Sequence, residues 1–209
     1  KIKISPLKRL SIMIICLVFL IYFLPIKIFN MDIPFLIILL QNNIFSTIFV
    51  LLCFLFIVNG ANLIDGFNGM LTINLIIINI ILIYVNLNSG NNEFSVFLIS
   101  QIIILLTFLL FNFPNAKIFL GDSGAYLMGS LVALNTIITN NLNPHISSFF
   151  FCILLFYLFF EVFFSFIRKV VQKKSPVHPD SEHLHMLNFK NITPLFGANR
   201  GNYLNSLIK

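Results

Sequence analysis

Apolar residues fill this chain in long, nearly continuous blocks, and the polar residues between them are bunched rather than scattered. The blocks lie at about 8–25, 43–60, 69–87, 95–112, 122–139 and 147–167, and another begins near Leu195. A helix needs about 20 apolar residues to cross a bilayer. The pattern therefore predicts an all-α polytopic membrane protein with six complete transmembrane helices plus the start of a seventh. The whole of 1–209 reads as a single integral-membrane domain. The stretch from Pro25 to Asn43 is apolar but broken by Lys27, Asp32, Pro34 and Gln41-Asn42-Asn43. It predicts an extended or re-entrant connection on one membrane face.

Composition removes the alternatives. Of the residues, 58% are hydrophobic and only 10% charged, with 26 phenylalanines, against about 25% charged in an average soluble chain. Mean hydropathy is +0.98. A soluble domain could not cover so much apolar surface, and a disordered chain would not carry it. The net charge of +6 sits beside apolar runs, which suits membrane topology better than nucleic-acid binding. Cys16, Cys53 and Cys152 are spread singly and fit neither a disulfide framework nor a zinc site. The first apolar run follows Lys1, Lys3, Lys8 and Arg9, yet further spans come after it, so it predicts a span and not a cleaved signal.

Six spans set the sides. The N-terminus and loops 59–69, 112–122 and 168–194 fall together and hold Lys1, Lys3, Lys8, Arg9, Lys117, Arg168, Lys169, Lys173, Lys174 and Lys190. The opposite side holds only Lys27. The positive-inside rule places the first side in the cytoplasm. Asp65, Asp122, Asp180 and Glu182 lie there too, as do all the histidines except His145. A channel would more readily string polar groups along its helices. Polar groups gathered at one face predict an interfacial enzyme that takes one substrate from water and one from lipid.

Three loops carry candidate chemistry. In 59–69, Asn59, Asn62, Asp65 and Asn68 stand among three glycines. Asp65 could ligate a metal or act as a base, and the amides can donate and accept hydrogen bonds; the alternative is a polar turn. In 112–124, Gly121-Asp122-Ser123-Gly124 opens an apolar helix. Asp122 either caps that helix or offers a carboxylate to a hard cation such as magnesium, with phosphate at the helix start. Lys117 either meets a phosphate or marks the basic face. In 168–194, His183 and His185 flank one residue beside Asp180 and Glu182 in a basic loop. The spacing is not that of a zinc site. The lysines suit either a solvated loop or anionic lipid headgroups, and neither reading accounts for the histidines.

In order, separation and common sidedness, these loops resemble those of the polyprenyl-phosphate N-acetylhexosamine-1-phosphate transferases, glycosyltransferase family 4. That family includes the translocase of peptidoglycan synthesis and the initiating enzymes of O-antigen and teichoic acid. The resemblance is carried by Asn59, Asn62, Asp65-Gly66, Asn68-Gly69, by Pro114, Ala116-Lys117, Phe119 and Gly121-Asp122, and by Pro179-Asp180 and His183-Leu184-His185. It implies transfer of a sugar-1-phosphate from a UDP-N-acetylhexosamine to undecaprenyl phosphate in the bilayer, with release of UMP, at the cytoplasmic face of a bacterial inner membrane. It implies Mg2+, with Mn2+ as an alternative, held by Asp122. It casts Asp65, His183 and His185 as catalytic and Asn59, Asn62, Asn68, Asn112, Lys117 and Phe119 as substrate-binding. Nucleic acid is not a partner, and a homodimer is compatible.

The departures are specific. Asn68 stands where many members have aspartate, and Met186 replaces a further histidine. The family's adjacent aspartate pair precedes a span like 8–25, which makes Lys1 look like a cut point. The chain is accordingly expected to be truncated at its N-terminus relative to the family, and its first alternative is a catalytically incomplete fragment or relic. A transporter is the weaker alternative, since no inverted repeat is evident. Glu161 echoes an acidic residue that the family carries within the membrane before the basic loop, and a buried charge in a span is rarely idle.

Overall fold

The computed structural model describes residues 5–173 and 182–207, and within them the chain is helical, with no strand. Ten helices follow in order: α1 Pro6–Phe23, α2 Pro34–Leu40, α3 Asn43–Ile64, α4 Met70–Asn88, α5 Asn92–Asn112, α6 Gly121–Leu142, α7 Ser148–Leu154, α8 Phe156–Val171, α9 Leu184–Phe196 and α10 Ala198–Leu207. Local chemistry sets several of the starts. Proline opens α1 and α2, where its missing N–H costs nothing. Asn42 caps α3, its Oδ1 accepting from the backbone N–H groups of Ile44 and Phe45 at 2.9 and 3.2 Å.

Three of these helices are long and apolar enough to cross a membrane: α3, α4 and α5. The pair α7 and α8 makes a fourth if it is one span broken at Leu155, where the axis turns by 67°. The six complete spans read from the sequence are thus not all established. The run at 122–139 does form a helix, α6, of 22 residues, about 33 Å long at the usual rise. Asn135, Thr136, Thr139 and Asn140 lower its apolar content because they face inward and are buried. Near Leu195, where the start of a seventh span is expected, α9 ends, Gly197 has φ 78° and α10 follows. Helices α9 and α10 pack against each other.

Helix α3 is the hub. It packs on α6, α8 and α1, while α4 joins α5 to α6. Small residues allow the closest approaches. A Cβ at Gly60 of α3 would stand 2.2 Å from the Leu158 carbonyl oxygen of α8, and one at Gly129 of α6 would stand 2.8 Å from the Ala61 methyl of α3. Close backbone contact is how helices associate when lipid is as apolar as they are. Outward positions such as Tyr84, Leu110, Phe111 and Ile153 are large, apolar and exposed. The interior by contrast holds a polar seam. Asn135 donates to Gln101 at 2.8 Å and to Asn79 at 3.3 Å, and Asn86 donates to Thr139 at 2.9 Å.

The stretch between Pro25 and Asn43 holds extended backbone and the two turns of α2. It is fastened to the end of α6 and the start of α7. Asn140 Nδ2 donates to the Asn30 carbonyl at 2.8 Å, and the Ser147 and Ser148 hydroxyls donate to Asp32 Oδ2 at 2.6 and 2.9 Å. Those hydrogen bonds hold the Asp32 carboxyl below its usual range. The opposite end of the bundle gathers the termini of α3, α5 and α8 with the starts of α1, α4, α6 and α9, and the candidate chemistry lies there.

Candidate active site

Asp65 closes α3, and Asp122 sits in the first turn of α6. The α3–α6 packing brings these ends together. Asp122 does not cap α6, whose start has no side-chain cap. Its carboxylate instead accepts from Asn62 Nδ2 at 3.2 Å and from the Arg9 guanidinium at 2.5 Å. Asp65 is near enough to feel the Asp122 charge. Partial burial first, and that charge second, push its carboxyl up to about 6. Two carboxylates, one of them strained toward its neutral form, make a site that a cation would relieve.

The loop after α3 is held to the other two. Asn112, buried at the end of α5, accepts from the Gly69 N–H at 2.6 Å and donates to the Ile118 carbonyl at 2.7 Å. Gly69 has φ 75° at the start of α4, a conformation that glycine adopts freely. Asn68 Nδ2 donates to the Pro114 carbonyl at 2.8 Å, its N–H donates to Asn202 Oδ1 at 3.3 Å, and its carbonyl accepts from the Ser206 hydroxyl at 2.7 Å. The asparagines thus divide by role. Asn62 points its amide at Asp122, whereas Asn68 and Asn112 bind backbone and shape the loops. Asn59 donates to the Leu55 carbonyl of its own helix at 2.7 Å. Lys117 and Phe119 are both exposed on the loop before α6, with Phe119 at 76%.

The histidines of the third loop come in from the far side. His183 and His185 are both buried, with rings stacked 5.5 Å apart and 4° from parallel. Beneath them lies Glu161 of α8, fully buried. His185 Nδ1 is 3.1 Å from Glu161 Oε1, and the His185 backbone N–H donates to the same oxygen at 3.3 Å. His183 Nδ1 lies 3.6 Å from Glu161 Oε2. On its other edge, His185 meets Phe67 of the first loop at 5.8 Å between ring centroids. The histidines therefore adjoin the Asp65 loop. Nothing places them in contact with Asp122. Of the third-loop positions singled out in the sequence, His178, Pro179 and Asp180 lie outside the described residues.

Sequence reading missed Arg9 as a partner of Asp122, having counted it only as a topological charge. It also missed Asn202, Asn205 and Ser206, which bond to Asn68 and His185.

Among the described residues no group of three or more histidines, cysteines, aspartates and glutamates is set to hold a metal ion. Magnesium does not require one. It is commonly bound by one or two carboxylates together with substrate phosphates and water. The Asp65–Asp122 pair fits that manner of binding.

Residues 1–140 match glycosyl transferase family 4. The undecaprenyl-phosphate alpha-N-acetylglucosaminyl 1-phosphate transferase of Thermotoga maritima is 30% identical over 141 residues, 66% of this chain and 41% of that protein. A probable undecaprenyl-phosphate N-acetylglucosaminyl 1-phosphate transferase of Bacillus subtilis is 32% identical over 134 residues, covering 62% and 36%. A phospho-N-acetylmuramoyl-pentapeptide-transferase of Leuconostoc mesenteroides is 39% identical over 80 residues, covering 38% and 25%. The matched part thus spans well under half the length of each of these relatives. No solved structure matches.

Proposed function

The chain belongs to glycosyl transferase family 4, and from that premise we propose that it serves the transfer of an N-acetylhexosamine-1-phosphate from a UDP-sugar to undecaprenyl phosphate. An oxygen of undecaprenyl phosphate attacks the β-phosphorus of the UDP-sugar. The bond from that phosphorus to the bridging oxygen breaks, and UMP leaves with the oxygen. The product is undecaprenyl diphosphate carrying the sugar. Two features support the reading: the activities named for the relatives from Thermotoga maritima and Bacillus subtilis, and a polar site at one end of an apolar bundle. The observation that carries it is the meeting of Asp122, Asn62 and Arg9 at the α3–α6 end, with Asp65 in electrostatic range.

Phosphoryl transfer of this kind rests on positioning and on neutralising charge. Asp65 and Asp122 would hold Mg2+. When bound, the cation would neutralise diphosphate charge and orient the phosphates. Asn62 holds the Asp122 carboxylate in place. Arg9 occupies one Asp122 oxygen and is placed to turn to a substrate phosphate. Asn68 and Asn112 set the shape of the loops on which Lys117 and Phe119 stand, both free to meet the nucleotide. His183 and His185 border the first loop from the side opposite α6. The basic residues of the sequence around these loops support a cytoplasmic face for this end. The pathway served is the synthesis of a cell-envelope polysaccharide, O-antigen being one candidate.

The test is release of UMP from UDP-N-acetylglucosamine by the protein in membranes containing undecaprenyl phosphate, with and without Mg2+. Asp122→Asn is expected to lower that release by about a hundredfold or more, the scale of losing one electrostatic partner of a developing charge. Full Mg2+-dependent activity in Asp122→Asn would remove the metal assignment. A panel of UDP-sugars identifies the donor.

A further inference from the structure

Glu161 is the deepest charged group among the described residues, and the reaction as proposed gives it no part. It lies ten residues before the end of α8, roughly 15 Å into the helix at 1.5 Å per residue. A carboxylate at such depth is costly unless it is paired and hydrogen-bonded. Its surroundings supply the partners. The Tyr157 hydroxyl, one turn earlier on α8, donates to Oε1 at 3.1 Å. The His185 N–H and His185 Nδ1 converge on the same oxygen at 3.3 and 3.1 Å. The second oxygen faces His183 Nδ1 at 3.6 Å. One carboxylate thus faces the same ring nitrogen of both histidines, and the two rings stack in parallel above it.

The arrangement has a chemical consequence. The proton on a neutral imidazole goes to the nitrogen that has an acceptor, and the other nitrogen keeps its lone pair. The carboxylate accepts the proton of His185 Nδ1 at hydrogen-bond distance. It lies 3.6 Å from the same nitrogen of His183 and favours a proton there by its charge, so that each Nε2 is left an acceptor. For His185 the direction of that acceptor is visible. Its Nε2 is buried, has no hydrogen-bond partner, and would lie 3.1 Å from a Cβ built on Gly66. Gly66 is the neighbour of Asp65. The His185 main chain is held as well, its carbonyl accepting from Asn205 Nδ2 of α10 at 2.9 Å. A histidine fixed at backbone and ring, with an unpartnered acceptor aimed at the turn beside Asp65, is oriented and not merely packed.

We propose that Glu161 is a positioning residue: it fixes the tautomer and orientation of His183 and His185, so that the lone pair of His185 Nε2 faces the Asp65–Gly66 turn. The proposal rests on the catalytic role that the family resemblance implies for the two histidines, and the break at Leu155 turns α8 toward them. The 67° turn swings α8 so that Glu161 lies under the third loop.

The experiment is nitrogen NMR of the full chain labelled at histidine, in lipid nanodiscs, alongside kinetics with UDP-N-acetylglucosamine, undecaprenyl phosphate and Mg2+. In the unaltered protein both rings are expected to carry the proton on Nδ1. Glu161→Gln keeps the shape but presents one oxygen and one amide group to the pair. One of the two rings must then move its proton to Nε2. Turnover is expected to fall about tenfold to a hundredfold, the usual scale for losing the partner that orients a functional histidine. KM for the UDP-sugar should change by less than about twofold. Glu161→Asp, which keeps the charge but retracts it, is expected to lose less turnover than Glu161→Gln. A proton on Nε2 of both rings in the unaltered protein overturns the proposal. So does a Glu161→Gln variant with both tautomers and turnover unchanged. Unchanged UMP release in His185→Asn instead overturns the reading on which the proposal rests, and does so whatever the spectra show.

Discussion

Asp65 shows how much a single residue reports about its surroundings. Burial and the neighbouring Asp122 raise its carboxyl to about 6, from an ordinary 3.8. The native state therefore holds a proton more tightly than the unfolded chain does. Between about pH 4 and 6 the native state binds more protons, so stability falls as pH rises through that window and stays lowered above it. Asp65→Asn removes the ionisable group. Its melting temperature at pH 7.5 without added cation should exceed that of the unaltered protein, and the difference should vanish toward pH 4. The same variant should lose UMP release, because the charge that burdens the fold is the charge a cation needs. Thermal unfolding across this pH range, with and without Mg2+, checks both halves. Asp65 was legible in the sequence from its setting among asparagines and glycines. Its coupling to Asp122, 57 positions away, was not, because electrostatic range is a matter of space and not of order along the chain.

At the scale of elements, the α3–α8 contact decides where the histidines sit. Gly60 lets the two backbones touch, since a Cβ there would lie 2.2 Å from the Leu158 carbonyl oxygen, well inside any real contact. The obstacle is backbone and cannot rotate away. Gly60→Val should force α8 outward and cost about 1–3 kcal/mol, the range for overpacking a close contact. It should also displace Glu161, only three residues beyond Leu158, and slow UMP release through the third loop. Unfolding in mixed detergent micelles, read beside the histidine spectra, tests the two effects together. The apolar run of α7 and α8 was plain in the sequence, but the break at Leu155 was not. No proline or glycine stands there to announce it.

Across the described residues large apolar side chains cover the outside as well as the core, and a polar seam runs through that apolar interior. Asn135 of α6 ties α4 and α5 together through Asn79 and Gln101. Replacing it by leucine raises the apolar content of α6 yet leaves both partners without their bonds in a place water reaches poorly. Asn135→Leu should destabilise the bundle by about 1–3 kcal/mol, the price of buried unsatisfied groups. Because the seam lies in the middle of the bundle rather than among the site's loops, KM for the UDP-sugar should hardly move. An equilibrium unfolding measurement paired with kinetics separates the two. A rise in stability would show the seam to be dispensable.

The sequence by itself determined that the chain is helical and built for a membrane, because apolar run length and the bunching of charge are one-dimensional properties. It singled out three polar stretches by residue types at short spacing, parts of which the structure builds into helices: Asn59 and Asn62 lie in α3, and Leu184 onward lies in α9. Only the tertiary structure decided which of those residues meet. It sent Asn62 to Asp122, turned Asn68 and Asn112 to backbone, and set Glu161 beneath the histidines. Hydrogen bonds and ion pairs act over about 3 Å, and the positions they join here lie from 20 to more than 100 apart in the chain. No local pattern carries that information until the helices pack.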